Sequence, residues 1–210
     1  HRFVVSGLYE LPFSGNQLKE GWQLSLITQS QSGNPVTLLA GNVGAIGTTI
    51  PAANANALTG LATLRPDIAG PITISPTAAP GVIGVQWFPN LVCDPRPGGS
   101  CPAGATVILP VSFIGGKTIY HFGSMGRNVV IGPRFNNTDF SVIKRTKLGE
   151  NQLIEFRAEI FDLFNHANFG QPGRTAQVGS TAFGVITNTR FPTGDSGSSR
   201  QIQFALKYKF

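Results

Sequence analysis

Few residues in this chain have the type and spacing to do chemistry. Cys93 and Cys101 bracket Asp94-Pro95-Arg96-Pro97-Gly98-Gly99-Ser100. Two thiols this close along a loop, in an oxidising compartment, are expected to form a disulfide. A metal site would want further ligands beside them, and none are near. Because the closed loop is short, the expected stabilisation is modest. Gly194-Asp195-Ser196-Gly197 is the setting of a serine-protease nucleophile, but that chemistry needs a His base held by a buried Asp. His1, His121 and His166 lack the Ala-Ala-His-Cys context of such a base, and Ser198-Ser199 follow where Gly-Pro is expected. Four small polar residues read better as a turn. Asp162 and His166 have ligand spacing only on a helix, and the local pattern is a strand end. Glu155, Arg157 and Glu159 fall on one side of an alternating segment, with Asp139 and Arg145 on a neighbouring one. They predict a solvated charge ladder. No catalytic group, cofactor or metal ligand set is expected, and neither a phosphate-cradling loop nor a nucleic-acid surface is apparent.

Composition restricts the elements that must carry these residues. The 210-residue chain has 41% hydrophobic but only 12% charged residues, together with 26 Gly and 15 Pro. Helical bundles and coiled coils need many more Ala, Glu, Lys and Leu, and a charged disordered chain would lack the 15 Phe. The net charge of +6 is not gathered in a basic run, which argues against a nucleic-acid binder. The chain opens His1-Arg2-Phe3 without a signal peptide, and reads as a fragment or processed piece. Gly21 to Leu64 is free of charge, yet Gln, Ser, Asn and Gly interrupt it too often for a spanning helix. Pro71, Pro76, Pro80 and Pro89 break the next uncharged run. If this chain enters a membrane, it does so as strands.

Alternation with period two predicts strands over about 2–12, 20–30, 137–146, 151–164 and 200–210. The clearest is the last, where Ile202, Phe204, Leu206, Tyr208 and Phe210 alternate with Gln201, Gln203, Ala205, Lys207 and Lys209. Segments of about 9–12 residues suit a tilted strand crossing a bilayer. Their connections alternate short and long: a turn around Ser14-Gly15-Asn16, a loop of about 31–136, a turn at Lys147–Glu150, and a loop of about 165–199. That rhythm belongs to outer-membrane barrels, with tight periplasmic turns and long extracellular loops. A chain ending in the periplasm puts both short turns there too. Tyr9, Phe13, Trp22, Tyr208 and Phe210 then mark the inner interface, and Phe3, Phe135 and Phe164 the outer rim. Val82–Phe88 and Thr106–Phe113 are candidates for a further hairpin within the long loop. Five strands cannot close a barrel, since an open edge in lipid leaves backbone groups unpaired. The expected architecture is therefore all-β: antiparallel C-terminal strands of a larger transmembrane barrel, with residues 1–210 forming part of that one domain.

Several motifs add a likeness. Phe122-Gly123-Ser124-Met125-Gly126-Arg127-Asn128, then Gly132-Pro133, then Asn137-Thr138-Asp139-Phe140-Ser141, resembles the C-terminal region of TonB-dependent receptors of the Oar-like branch. So do Phe156-Arg157-Ala158-Glu159-Ile160-Phe161-Asp162-Leu163-Phe164-Asn165-His166, Asn168-Phe169-Gly170, Phe183–Thr187 and Arg200–Lys207. The likeness covers Phe122 to Phe210 well and Phe3–Phe13 loosely, while Gln31 to Tyr120 matches nothing. It implies an outer-membrane barrel of about 22 strands, with an N-terminal plug and a TonB-engaging segment absent here. Such a receptor passes a large solute or protein in either direction, driven from the inner membrane, and is not an enzyme.

From this follow expectations about partners and site residues. Phe204, Leu206, Tyr208 and Phe210 look like the signal read by the barrel-assembly machinery, which a regular aromatic strand edge can engage by strand addition. Asp139, Glu155, Arg157 and Glu159 are expected to face the lumen, and the opposite side outer-membrane lipid. The ligand is unknown. The rival reading is a secreted adhesive or structural protein whose alternating strands form a soluble sandwich.

Overall fold

The computed structural model describes residues 1–41, 64–190 and 199–210. Among them no helix is long and apolar enough to cross a membrane, which leaves crossing by strands open. The chain divides into two compact units, one of 1–33, 133–169 and 189–210, the other of 34–132 and 170–188.

The first unit is a five-stranded antiparallel meander: β1 (Arg2–Glu10), β2 (Trp22–Gln31), β3 (Phe135–Lys147), β4 (Leu153–Phe161) and β5 (Gln201–Lys209), in that spatial order. These match the segments read from alternation, except that β3 gains residues at both ends and β4 stops short of Asp162. Asp162 and Asn165 take left-handed backbone (φ 50° and 52°), which ends the strand. Thr138 O nevertheless still accepts the Leu163 N–H at 2.7 Å.

Both tight connections are built from local hydrogen bonds. In the first, the Asn16 carbonyl accepts the Lys19 and Glu20 amides at 3.0 Å each, and Asn16 Oδ1 accepts the Lys19 amide at 3.0 Å. Gly21 (φ 73°) closes that turn, and a Cβ there would strike the Arg145 carbonyl. In the second, Leu148 N–H donates to Gln152 O at 3.0 Å. Among the described residues the sheet does not close: β1 pairs only with β2, and β5 only with β4.

The second unit arises from the two long connections, which were expected simply as loops. Its core gathers Val36, Leu38, Leu64, Phe88, Val107, Leu109, Met125, Val130, Ala176 and Phe183 from both. Phe88 and Phe183 meet edge to face with centroids 5.2 Å apart. The strands here are short. Leu39–Ala40 runs parallel to Thr175–Ala176, and Val85–Gln86 lies between Thr77–Ala78 and Val185–Ile186. Thus the proposed membrane hairpin from Val82–Phe88 and Thr106–Phe113 does not form. Val85–Gln86 and Val107–Ile108 belong to separate small sheets of this unit, where each pairs over two residues. Proline and glycine interrupt every run before it reaches spanning length. Among the described residues of this unit, only Val111–Ile114 and Lys117–Tyr120 make a longer hairpin, turning on Gly115 and Gly116 with φ 60° and 77°.

Candidate functional site

Register decides what each face of the five-stranded sheet presents, because side chains alternate and pairing fixes their phase. Phe156 lies opposite Leu206 on β5 and Lys144 on β3; Val142 lies opposite Leu24, which lies opposite Tyr9. Carried across all strands, one face holds Phe3, Val5 and Tyr9; Trp22, Leu24 and Leu26; Phe140 and Val142; Ile154, Phe156, Ala158 and Ile160; and Ile202, Phe204, Leu206 and Tyr208. Many of these are exposed: Phe3 65%, Phe204 68% and Leu206 73%. So large an exposed apolar surface is abnormal on a soluble monomer. Phe156 and Phe204 stack on it as a diagonal cross-strand pair, with centroids 6.1 Å apart and rings inclined by 16°.

Polar groups on this face are satisfied locally. Thr28 and Thr138 stand opposite each other with hydroxyl oxygens 3.2 Å apart, and Ser30 Oγ donates to Asn136 Oδ1 at 2.7 Å. Lys144 reaches the β1–β2 turn, where its ammonium donates to the carbonyls of Gln17 (2.6 Å) and Glu20. It also lies 5.6 Å from the Trp22 ring centroid. A long side chain that carries its charge to the end of the strand is how a cation fits an apolar face.

The opposite face is more polar: Arg2, Ser6 and Glu10 with Val4 and Leu8; Gln23, Ser25 and Gln29 with Ile27; Asn137, Asp139, Ser141 and Arg145 with Ile143; Glu155, Arg157 and Glu159; and Gln201, Gln203, Lys207 and Lys209 with Ala205. Arg145 Nε donates to Glu155 Oε2 at 2.9 Å, directly across β3 and β4. Arg157 bridges along β4 to Glu155 (3.1 Å) and Glu159 (3.5 Å). Glu155 is thus held between two guanidiniums and is buried, while the arginines remain about 40% exposed. Asp139 stands outside this chain of charges. Its Oδ1 accepts the Asn137 amide at 2.9 Å and the backbone N–H of Asp162 at 3.0 Å.

Phe204, Leu206 and Tyr208 line one side of β5, which is exposed throughout. Phe210 lies beyond the strand and touches Tyr208, with ring centroids 5.9 Å apart. Phe135 corrects the expectation of an outer aromatic rim. It pairs with Gln31 on the polar face and is buried, with the Arg190 guanidinium 4.8 Å from its ring centroid. Its phase is opposite to that of Phe3. Asp162 and His166 are joined through the chain, the His166 N–H donating to Asp162 Oδ1 at 3.1 Å, rather than as side-chain ligands. Gly194-Asp195-Ser196-Gly197 lies outside the described residues.

In the second unit Cys93 and Cys101 are joined as a disulfide. Inside their loop Arg96 makes a two-pronged contact with Asp94, Nε to Oδ1 at 2.8 Å and a terminal nitrogen to Oδ2 at 2.6 Å, both side chains buried. Burial pushes the Asp94 carboxyl up, but hydrogen bonds and charge from Arg96 outweigh it and hold the group below its usual range. This pair was not singled out from sequence, although an Asp-Pro-Arg-Pro run between two cysteines was its only signal. His121 Nε2 also lies 2.6 Å from Asp67 Oδ2, and Asp67 Oδ1 accepts the Ser124 N–H at 2.8 Å. Among the described residues no group of three or more His, Cys, Asp and Glu side chains gathers as metal ligands.

A family model described as "Outer membrane beta barrel domain" matches residues 1–203. No curated protein and no solved structure matches the chain.

Proposed function

The chain belongs to the outer-membrane β-barrel family and resides in the outer membrane; from that premise we propose that it is the C-terminal part of a TonB-dependent receptor of the Oar-like kind. In this reading the barrel passes a large solute or protein and catalyses no reaction. The observation that carries it is the common phase of the five strands, which offers lipid one mainly apolar face and the interior a more polar one that Val4, Leu8, Ile27 and Ile143 interrupt. The Arg145–Glu155–Arg157–Glu159 chain then lines the passage. The motifs from Phe122 onward support the narrower, energy-coupled assignment.

The two edges left unpaired among the described residues, one on β1 and one on β5, fit strands supplied by the rest of a larger barrel. TonB engages through a part of that receptor outside this sequence. The β5 residues Phe204, Leu206 and Tyr208, with Phe210, present the strand to the barrel-assembly machinery. The two short turns are periplasmic, and the second unit is extracellular. The test is accumulation of the cognate solute, or appearance of the exported protein, in otherwise identical cells with and without TonB. The proposal expects passage to stop without TonB; passage at an unchanged rate would overturn it.

A further inference from the structure

Among the described residues three side-chain oxygens are buried without a hydrogen-bond partner, Gln23 Oε1, Asn137 Oδ1 and Asp162 Oδ2, and the last two belong to one cluster where β3 meets the end of β4. Asp162 is 1% exposed. A buried carboxylate oxygen left unsatisfied is costly, and native structures rarely keep one without a hidden ligand. The two residues converge on a single atom, because the Asn137 amide and the Asp162 backbone N–H both donate to Asp139 Oδ1, at 2.9 and 3.0 Å. Asp139 is half-buried, and its second oxygen has no hydrogen-bond partner among the described residues. Among the described residues neither Asp139 nor Asp162 forms a salt bridge, while Arg157 pairs with Glu155 and Glu159.

We propose that Asp162, Asp139 and Asn137 bind a calcium ion. Asp162 Oδ2 and Asn137 Oδ1 supply the buried ligands, and the second oxygen of the half-buried Asp139 supplies a third. Carboxylate and amide oxygens are hard donors that suit Ca²⁺, whose coordination of six to eight oxygens tolerates irregular geometry and is completed by water or backbone carbonyls. Mg²⁺ demands near-ideal octahedral geometry and sheds water reluctantly, so a site with few protein ligands on a strand end discriminates against it. Two carboxylates exceed what a monovalent ion needs. A bound divalent cation would satisfy both orphaned oxygens and neutralise the charge at once. It would also fasten the end of β4 to β3 where hydrogen bonding between the strands runs out.

The test uses the full-length protein in detergent micelles, dialysed against chelator and titrated with CaCl₂ by calorimetry, with thermal midpoints recorded in parallel. One ion per chain is expected, half-saturating between about 10⁻⁴ and 10⁻³ M, the range of low-affinity extracellular sites. Calcium should raise the midpoint, and equimolar Mg²⁺ should not substitute. Asp162→Asn keeps the acceptor for His166 N–H but lowers affinity at least about tenfold, a change equivalent to about 1.4 kcal/mol. Asp139→Asn and Asn137→Ser should each weaken binding similarly, so the proposal stays testable if one variant folds poorly. Absence of binding up to about 10 mM, well above that range, overturns it. So does an equal calcium response in wild type and all three variants.

Discussion

Thr28 and Thr138 face each other across β2 and β3 with their hydroxyl oxygens 3.2 Å apart, on the face that otherwise presents mainly hydrocarbon. Each hydroxyl is the other's partner, so the pair can meet lipid at little cost while either one alone cannot. Thr28→Val should therefore destabilise by about 1–3 kcal/mol, the cost of orphaning Thr138. Thr28→Val/Thr138→Val should return to within about 1 kcal/mol of wild type. Unfolding by denaturant in lipid micelles measures the cycle, and additive single effects would dissociate the two residues.

Glu155 should be the sensitive member of the charge ladder. It is buried between Arg145 and Arg157, whereas Glu159 has only the longer 3.5 Å contact. Glu155→Gln is expected to cost about 1.5–3 kcal/mol, the value of hydrogen bonds to charged groups. Glu159→Gln should cost less than about 1 kcal/mol, because its single long contact is partly open to solvent. The same denaturation experiment ranks them, and equal losses would place the ladder in uniform solvent.

Acid should loosen the second unit through Asp94. Its folded-state carboxyl is held below its ordinary value, so its contribution is fully present above the unfolded value. That contribution is lost as pH falls through the depressed one. Asp94→Asn should flatten this part of the acid limb and lower stability at neutral pH, where the contact with Arg96 is intact. Hydrogen exchange of amides in 93–101 between pH 6 and pH 2 reads the effect locally. An unaltered acid limb in the variant would remove Asp94 as its origin.

Reduction of the Cys93–Cys101 disulfide should also act on the second unit alone. A loop with eight residues of separation is worth about 2–3 kcal/mol in chain entropy. The Asp94–Arg96 contact and the bond from Asp94 N–H to Ser100 O at 2.9 Å remain to hold the loop in shape. Protease susceptibility should therefore rise in 93–101 while the five-stranded sheet stays intact. Loss of both together would tie the sheet to the disulfide.

Much of the sheet was legible because a two-residue period is a local signal that pairing merely reinforces. In β5 the apolar set Ile202, Phe204, Leu206 and Tyr208 needs no tertiary information. Phe135 was misplaced because a strand's phase cannot be read from one aromatic at its end; the partner Gln31 sets it, more than a hundred positions earlier. The second unit was invisible for a related reason. Its core joins Ala40 to Ala176 and Phe88 to Phe183, contacts between short segments with no periodicity to reveal them. The convergence of Asn137 and Asp162 on Asp139 likewise depends on β3 and β4 being in one register, and no motif announces it.

A charge tests one face against the other. Phe156→Arg should cost about 2–4 kcal/mol if that site lies near the bilayer midplane. Gln203→Arg, on the polar face of the adjacent strand, should stay within about 0.5 kcal/mol. Folding into vesicles of defined thickness, followed by denaturant titration, compares them. Equal penalties would mean that neither face meets lipid.

The most direct measurement is a nitroxide scan of residues 154–160 on β4 in bilayers, reading collisions with oxygen and with a polar nickel chelate at each position. Ile154, Phe156, Ala158 and Ile160 should favour oxygen, and Glu155, Arg157 and Glu159 the polar reagent, in strict alternation. A scan in which both sets favour the polar reagent, or neither is reached by dissolved oxygen, would contradict a lipid-facing surface on this sheet.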